Sequence, residues 1–147
     1  MRILLQRVLR ASVSVDAAVV GSIGPGYLLL VGVLKDDTEE QARWLASKVA
    51  KLRLFDGENA KVNDRSLLDI GGEALVISQF TLAGNIEKGN RPDYTAAESP
   101  QRAEALYECF QDFLRTEGVT RVAAGTFGAH MQVELVNDGP VTLLLEK

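Results

Sequence analysis

Cysteine occurs once, at Cys109, and histidine once, at His130. A single thiol excludes an intrachain disulfide, a CxxC pair and a cysteine-rich zinc site, and a single imidazole excludes a histidine-rich metal centre. No apolar run approaches the roughly 18 residues that a membrane-crossing helix needs. The opening Met1-Arg2-Ile3-Leu4-Leu5-Gln6-Arg7 puts polar residues where a signal peptide requires its apolar stretch, so the expected compartment is the cytosol. Basic residues are not in excess either: 16 Lys+Arg against 20 Asp+Glu leave a net charge of −4. Proteins that hold long duplex nucleic acid by its phosphates usually carry a basic surplus, so extensive binding of that kind is not expected, whereas a small basic footprint near one RNA end is compatible. The GxGxxG, P-loop, HExxH and G-x-S-x-G signatures are absent.

What remains is a composition suited to one buried core, 46% hydrophobic and 24% charged over 147 residues, without repeat, low-complexity tract or linker. Residues 1–147 are read as a single domain. The first segment alternates with period two: Ile3, Leu5, Leu9, Ala11, Val13 and Val15 against Arg2, Gln6, Arg10, Ser12, Ser14 and Asp16, the pattern of a half-buried strand. Arg7 falls on the apolar side. Turns are expected at Asp16-Ala17 and at Gly24-Pro25, followed by a core strand over 27–33. Thr38-Glu39-Glu40-Gln41 has the form of a capping box, and Ala42, Leu45, Val49 and Leu52 continue at helical spacing. Residues 56–73 read as a loop with a short strand at 66–70, 74–79 as a core strand and 84–92 as an exposed loop. Ser99-Pro100 opens a second helix whose buried stripe is Ala103, Leu106, Phe110 and Phe113, with Gly118 as its stop. Met131, Val133 and Leu135 alternate with Gln132 and Glu134. Asn137-Asp138-Gly139-Pro140 is expected to turn the chain into a last strand over 141–146. The fold class is α+β, a mostly antiparallel, barrel-like sheet with two main helices.

Three features suggest chemistry. Ser78-Gln79-Phe80-Thr81 ends a core strand next to a loop and offers hydroxyl, amide and aromatic groups in succession; the plainer reading is a strand turning polar as it exits. Asp138-Gly139-Pro140 is a hairpin turn on one reading; on the other, a cis Gly-Pro bond turns two carbonyls the same way. Arg7, a guanidinium on an apolar face, needs carbonyl or carboxylate acceptors. His130 reads as a rim residue, and Cys109 as inert helix packing.

Ser78-Gln79-Phe80-Thr81-Leu82 and Asn137-Asp138-Gly139-Pro140-Val141-Thr142 resemble the two signature motifs of the D-aminoacyl-tRNA deacylases. The resemblance extends over essentially the whole chain, through Gln6-Arg7-Val8, Ala11-Ser12-Val13, Gly89-Asn90-Arg91-Pro92 and Phe127-Gly128-Ala129 leading to Met131. Asn90 and Asp93 stand where the family often has other residues. The resemblance implies a homodimeric esterase that frees D-amino acids from the 3′ end of charged tRNA without metal or cofactor. It implies a cis Gly139-Pro140 pair that reaches into the partner's pocket, holds the α-amino group with its carbonyls and leaves no room for an L side chain. Arg7 is then expected to orient the Gly-Pro carbonyls. Ser78, Gln79, Phe80 and Thr81 would lie beside the ester carbonyl, and Met131 would line the adenosine pocket. Backbone N–H groups around Phe80 and Thr81 can stabilise an oxyanion; in the competing scheme Thr81 is the nucleophile. Glycine has no side chain to exclude, so glycyl-tRNA, including tRNA(Ala) mischarged with glycine, is a further expected substrate. Two rivals share the scaffold: a non-catalytic nucleic-acid-binding module, and a relative with a trans Gly-Pro bond that acts on mischarged L-amino acids.

Overall fold

The computed structural model describes residues 1–147, with the side chain of Ala60 left out. Its longest elements are the two strands whose alternation is plainest in the sequence, β1 (Arg2–Val15) and β8 (Gln132–Glu146). Between them run β2 (Ala18–Ile23), β3 (Gly26–Gly32), α1 (Glu39–Lys51), β4 (Arg53–Phe55), β5 (Arg65–Ser66), β6 (Glu73–Ser78), α2 (Pro100–Thr116) and β7 (Arg121–Ala124). Asp16 and Ala17 both take positive φ, 49° and 64°, which gives the β1–β2 hairpin the twist that suits its strands.

One edge of β1 is shared by two antiparallel partners: β3 along Arg2–Val8 and β2 along Ala11–Val15. The other edge carries β8, antiparallel along almost its whole length. The helices then act as crossovers, so β6 pairs parallel with β3, and β7 parallel with β6. The sheet is thus mixed, and it curls until β2 meets β7: a Cβ on Gly21 would lie 2.7 Å from the Ala124 carbonyl. β4 and β5 form a separate antiparallel pair, and the strand expected at 66–70 ends at Ser66 before a turn.

Two apolar cores lie on opposite faces of this sheet. One, beneath the helices, holds Ile3, Leu5, Leu29, Ala74 and Val76 with Leu45, Val49, Phe110 and Leu114. The other fills the curl with Val8, Ala11, Val13, Leu28, Leu75 and Ile77. β6 is therefore buried on both faces, which is why it reads as an unbroken apolar run. β1 changes sides: its odd residues face the helices at Ile3 and Leu5 but face the curl at Ala11 and Val13. The change falls after Val8, where β1 runs two residues to one of β8 between Val8–Asn137 and Arg10–Val136, because a one-residue irregularity reverses the faces of a strand. Leu9 sits in that reversal and is 51% exposed, contrary to the alternation.

The capping box of α1 is present: Thr38 Oγ1 accepts from the Glu40 N–H at 3.2 Å, and the Gln41 side chain accepts from the Thr38 N–H at 3.0 Å. Ala42, Leu45 and Val49 are buried as expected. At the start of α2, Pro100 occupies the first turn, but the Ser99 side chain makes no capping bond; the Ser99 N–H instead donates to the Glu98 carboxylate at 2.6 Å. No helix is long and apolar enough to cross a membrane among the described residues.

The tightest backbone approach is at the start of β3, where a Cβ on Gly26 would lie 1.9 Å from the Glu73 carbonyl oxygen. Gly26→Ala must push β6 away and is expected to cost at least about 2 kcal/mol in urea denaturation. Gly24→Ala, where a Cβ meets nothing within 4 Å, should stay within about 0.5 kcal/mol of the wild type.

Candidate active site

β6 ends beside β3, with Ser78 opposite Val31 and the Gln79 N–H donating to the Val31 carbonyl at 2.7 Å. The chain then tightens into a 3₁₀ turn over Phe80–Ala83. Such a turn leaves its first N–H groups, here those of Phe80 and Thr81, without partners inside it. Its later groups are used: Leu82 N–H donates to Gln79 O at 3.1 Å, and Gly84 N–H to Thr81 O at 3.0 Å. The Gln79 side-chain amide donates to the Thr81 hydroxyl. Phe80 is 61% exposed, and its ring meets that of Tyr94 edge to face at 5.1 Å between centroids.

A cavity of about 550 Å³ opens between this strand end, the start of α2 and the segment before β8. Ser78, Gln79, Phe80 and Met131 all line it, so the structure brings these expected site residues together. Thr81 stands outside the wall on the exposed side of the turn. Four further wall residues, Glu98, Tyr107, Phe127 and His130, are not among the site residues that the sequence leads one to expect. Phe127 belongs to the stretch that carries the resemblance, whereas His130 reads as a rim residue and Glu98 is only the residue before a helix opening. The Glu98 carboxyl is held below the usual carboxylate range, chiefly by the Ser99 N–H and further by Arg102 and Lys35. Tyr107 is buried and donates to the Val76 carbonyl at 2.8 Å.

The second motif lies elsewhere and is not a chain reversal. Both of its flanks belong to β8 and pair with β1 in the same sense, Asn137 with Val8 and Thr142 with Gln6. Only Arg7 stands on β1 between those pairs, whereas Asp138, Gly139, Pro140 and Val141 stand on β8, so the surplus loops out. The Asn137 side-chain amide closes the neck, donating to the Arg7 carbonyl at 2.8 Å and the Val141 carbonyl at 3.1 Å. Gly139-Pro140 is cis and both residues are exposed.

Arg7 lies directly opposite this excursion and is 8% exposed. Its Nε donates to the Asp138 carbonyl at 3.2 Å and pairs with the Asp138 carboxylate at 3.1 Å. Its Nη1 donates to the Leu54 carbonyl, and the guanidinium lies 5.9 Å above the Phe55 ring. The carbonyl that Arg7 grips is thus that of Asp138, one residue before the expected Gly-Pro pair. Gly139 takes φ +117°, and a Cβ there would come within 2.9 Å of Arg7 Nη2, so a residue without Cβ is required.

Within one chain the two motifs are apart. Arg7 pairs with Tyr27, and Tyr27 with Ala74; Ser78 is four residues further along β6, roughly 13 Å at the rise of a strand. β8 also lies on the far side of β1 from β3 and β6. Gly139, Pro140 and Arg7 are not part of the cavity wall.

Residues 4–146 match the family model described as D-Tyr-tRNA(Tyr) deacylase. The chain is 56% identical over 147 residues to a D-aminoacyl-tRNA deacylase of Exiguobacterium sp., covering 100% of this chain and 99% of that protein. It is also 56% identical over 146 residues to a D-aminoacyl-tRNA deacylase of Thermomicrobium roseum, covering 99% of this chain and 94% of that one. Among solved structures it resembles that of a c-Myc DNA Unwinding Element Binding Protein, with TM-score 0.94 and 40% identity over 100% of this chain and 99% of that one.

Removing the Arg7 side chain leaves the buried Leu54 carbonyl and the part-buried Asp138 carbonyl without this partner. Arg7→Met is expected to lower stability by about 2–3 kcal/mol in chemical denaturation. Arg7→Lys should recover little of it, because one ammonium cannot span Leu54 and Asp138 as a guanidinium fork does; full recovery by lysine would show that charge alone matters at this position.

Proposed function

The chain belongs to the D-Tyr-tRNA(Tyr) deacylase family and is a D-aminoacyl-tRNA deacylase, a hydrolase, and from that premise we propose how its residues carry the reaction. Water cleaves the ester between a D-amino acid and the 3′-terminal ribose, releasing the free amino acid and tRNA with its hydroxyl restored. The observation that carries the proposal is the Ser78–Phe80 strand end forming a wall of the 550 Å³ cavity. The terminal adenosine enters that cavity against Met131, and the ester carbonyl lies at the start of the 3₁₀ turn. There the N–H groups of Phe80 and Thr81 receive the developing oxyanion, a role that needs no titratable side chain. The terminal ribose 2′-hydroxyl assists the attacking water.

Thr81 is the weaker candidate for nucleophile. Its hydroxyl accepts from the Gln79 amide, and an amide N–H cannot take a proton from it. Thr81→Ala should therefore keep kcat within about tenfold of the wild type in single-turnover assays; near-complete loss in a folded variant would restore the nucleophile scheme.

Selection of the D form is assigned to Gly139 and Pro140, whose carbonyls hold the α-ammonium group from a second copy of the chain. The separation of the two motifs within one chain supports a homodimer. So does β8, which has β1 on one edge and no named strand on the other and carries exposed Leu143 and Leu144. A clamp made of backbone rejects a side chain in the L position and is indifferent to one in the D position. Glycyl-tRNA, including tRNA(Ala) mischarged with glycine, then falls among the substrates, and the enzyme proofreads in the cytosol, where charged tRNA is used.

A second reading, nucleic-acid binding without catalysis, is favoured by the 40% identity to a DNA Unwinding Element Binding Protein, and the net charge of −4 opposes it. Hydrolysis of D- and L-tyrosyl-tRNA measured side by side separates the schemes. A large D preference is expected. Cleavage of neither would favour the binding module, and cleavage of both would remove Gly139-Pro140 as the selector.

A further inference from the structure

The cavity has room for a terminal nucleoside and its ester, and a tRNA substrate does not end there: a single strand continues outward from the adenosine. Phe80 forms part of the cavity wall, and its outer side meets the ring of Tyr94, which is itself 37% exposed. Tyr94 is firmly seated. Its ring packs against Gly84, where a Cβ would come within 3.0 Å of Tyr94 Cε1, and its carbonyl accepts from the Ala97 N–H at 3.0 Å. Just before it, residues 85–93 form an excursion closed at its base by paired bonds, Asn85 N–H to Asp93 O at 2.8 Å and Asp93 N–H to Asn85 O at 2.9 Å. That excursion carries Lys88 and Arg91, both exposed and in no ion pair among the described residues. Of its two carboxylates, Asp93 accepts from the Thr95 N–H at 2.8 Å, and Glu87 is exposed.

A part-exposed tyrosine ring against a phenylalanine of the cavity wall, with unpaired cations on the loop beside it, is the composition that holds single-stranded nucleic acid by stacking bases and meeting phosphates. We propose that Tyr94, backed by Phe80, is the stacking ledge for the nucleotide preceding the terminal adenosine, and that Lys88 and Arg91 meet the phosphates of that single strand. The proposal rests on the deacylase reading of the cavity. It assigns Tyr94 a positioning role in substrate capture and none in ester cleavage.

The test compares two minimal substrates: D-tyrosyl-adenosine, esterified at the 3′ position, and the D-tyrosyl trinucleotide that adds two cytidines on its 5′ side. For the wild type, KM for the trinucleotide is expected to be about tenfold lower than for the nucleoside, with similar kcat. Tyr94→Ala should remove that advantage, so that the two substrates then share one KM, and Tyr94→Phe should retain it, since stacking needs the ring and not the hydroxyl. Lys88→Gln combined with Arg91→Gln should weaken the trinucleotide alone and flatten the salt dependence of its KM. Equal KM for the two substrates in the wild type would overturn the ledge, as would a Tyr94→Ala variant that loses the nucleoside and the trinucleotide equally. If the wild type cleaves neither minimal substrate nor D-tyrosyl-tRNA, the deacylase reading of the cavity fails first and the ledge falls with it.

Discussion

Strand β1 has backbone partners along both edges, and β8 must match it over almost its entire length while carrying surplus residues in the middle. Every ladder N–H and carbonyl in a buried sheet needs a partner, so the surplus cannot be spread along the strand. It is expelled at one point, opposite Arg7. The side chains that seal the breach follow from this constraint: the Asn137 amide bridges the carbonyls of Arg7 and Val141, and the Arg7 guanidinium holds the Asp138 carbonyl from below. A second slip follows between Val8 and Arg10, where β1 carries the extra residue; it lets β1 pass from one core to the other and leaves Leu9 in solvent.

The cavity has a different origin. β3, β6 and β7 run parallel, so their carboxyl ends lie on one side. Helical crossovers return the chain at the other side and leave a crevice beyond those ends, the usual place for a site in such an arrangement. Ser78 and Gln79 are there because β6 stops there, and Met131 because the chain passes the same crevice on its way into β8. On the proposed scheme the reaction is served chiefly by backbone at a strand end and a short turn, which would account for the lack of familiar acid–base signatures in the sequence.

Legibility in the sequence followed the range of the interactions involved. Period-two alternation marked β1 and the first half of β8, and the Thr38 capping box marked α1, because these signals are local. The parallel pairing of β6 was not readable, since a strand buried on both faces has no alternation. The continuity of β8 was missed because Asp-Gly-Pro carries strong turn chemistry, and only the flanking register with a strand more than a hundred residues away shows that the direction is kept. For Arg7 the need for acceptors was legible from its place on an apolar face, whereas Leu54 and Asp138 were not, being contacts across the fold. Ser78, Gln79, Phe80 and Met131 were expected together through resemblance, and Glu98 and His130 joined them only through the tertiary path of the chain.

Because the 138–141 excursion is outside the ladder, its length is uncoupled from the register of everything that follows. Inserting or deleting a residue within an ordinary strand transfers every later side chain to the wrong face. Here the same change would alter the excursion alone, with Val8–Asn137 and Gln6–Thr142 still closing on either side. The segment can therefore change in length without dismantling the scaffold, while Gly139 stays fixed by its positive φ and by the Arg7 side chain beside it.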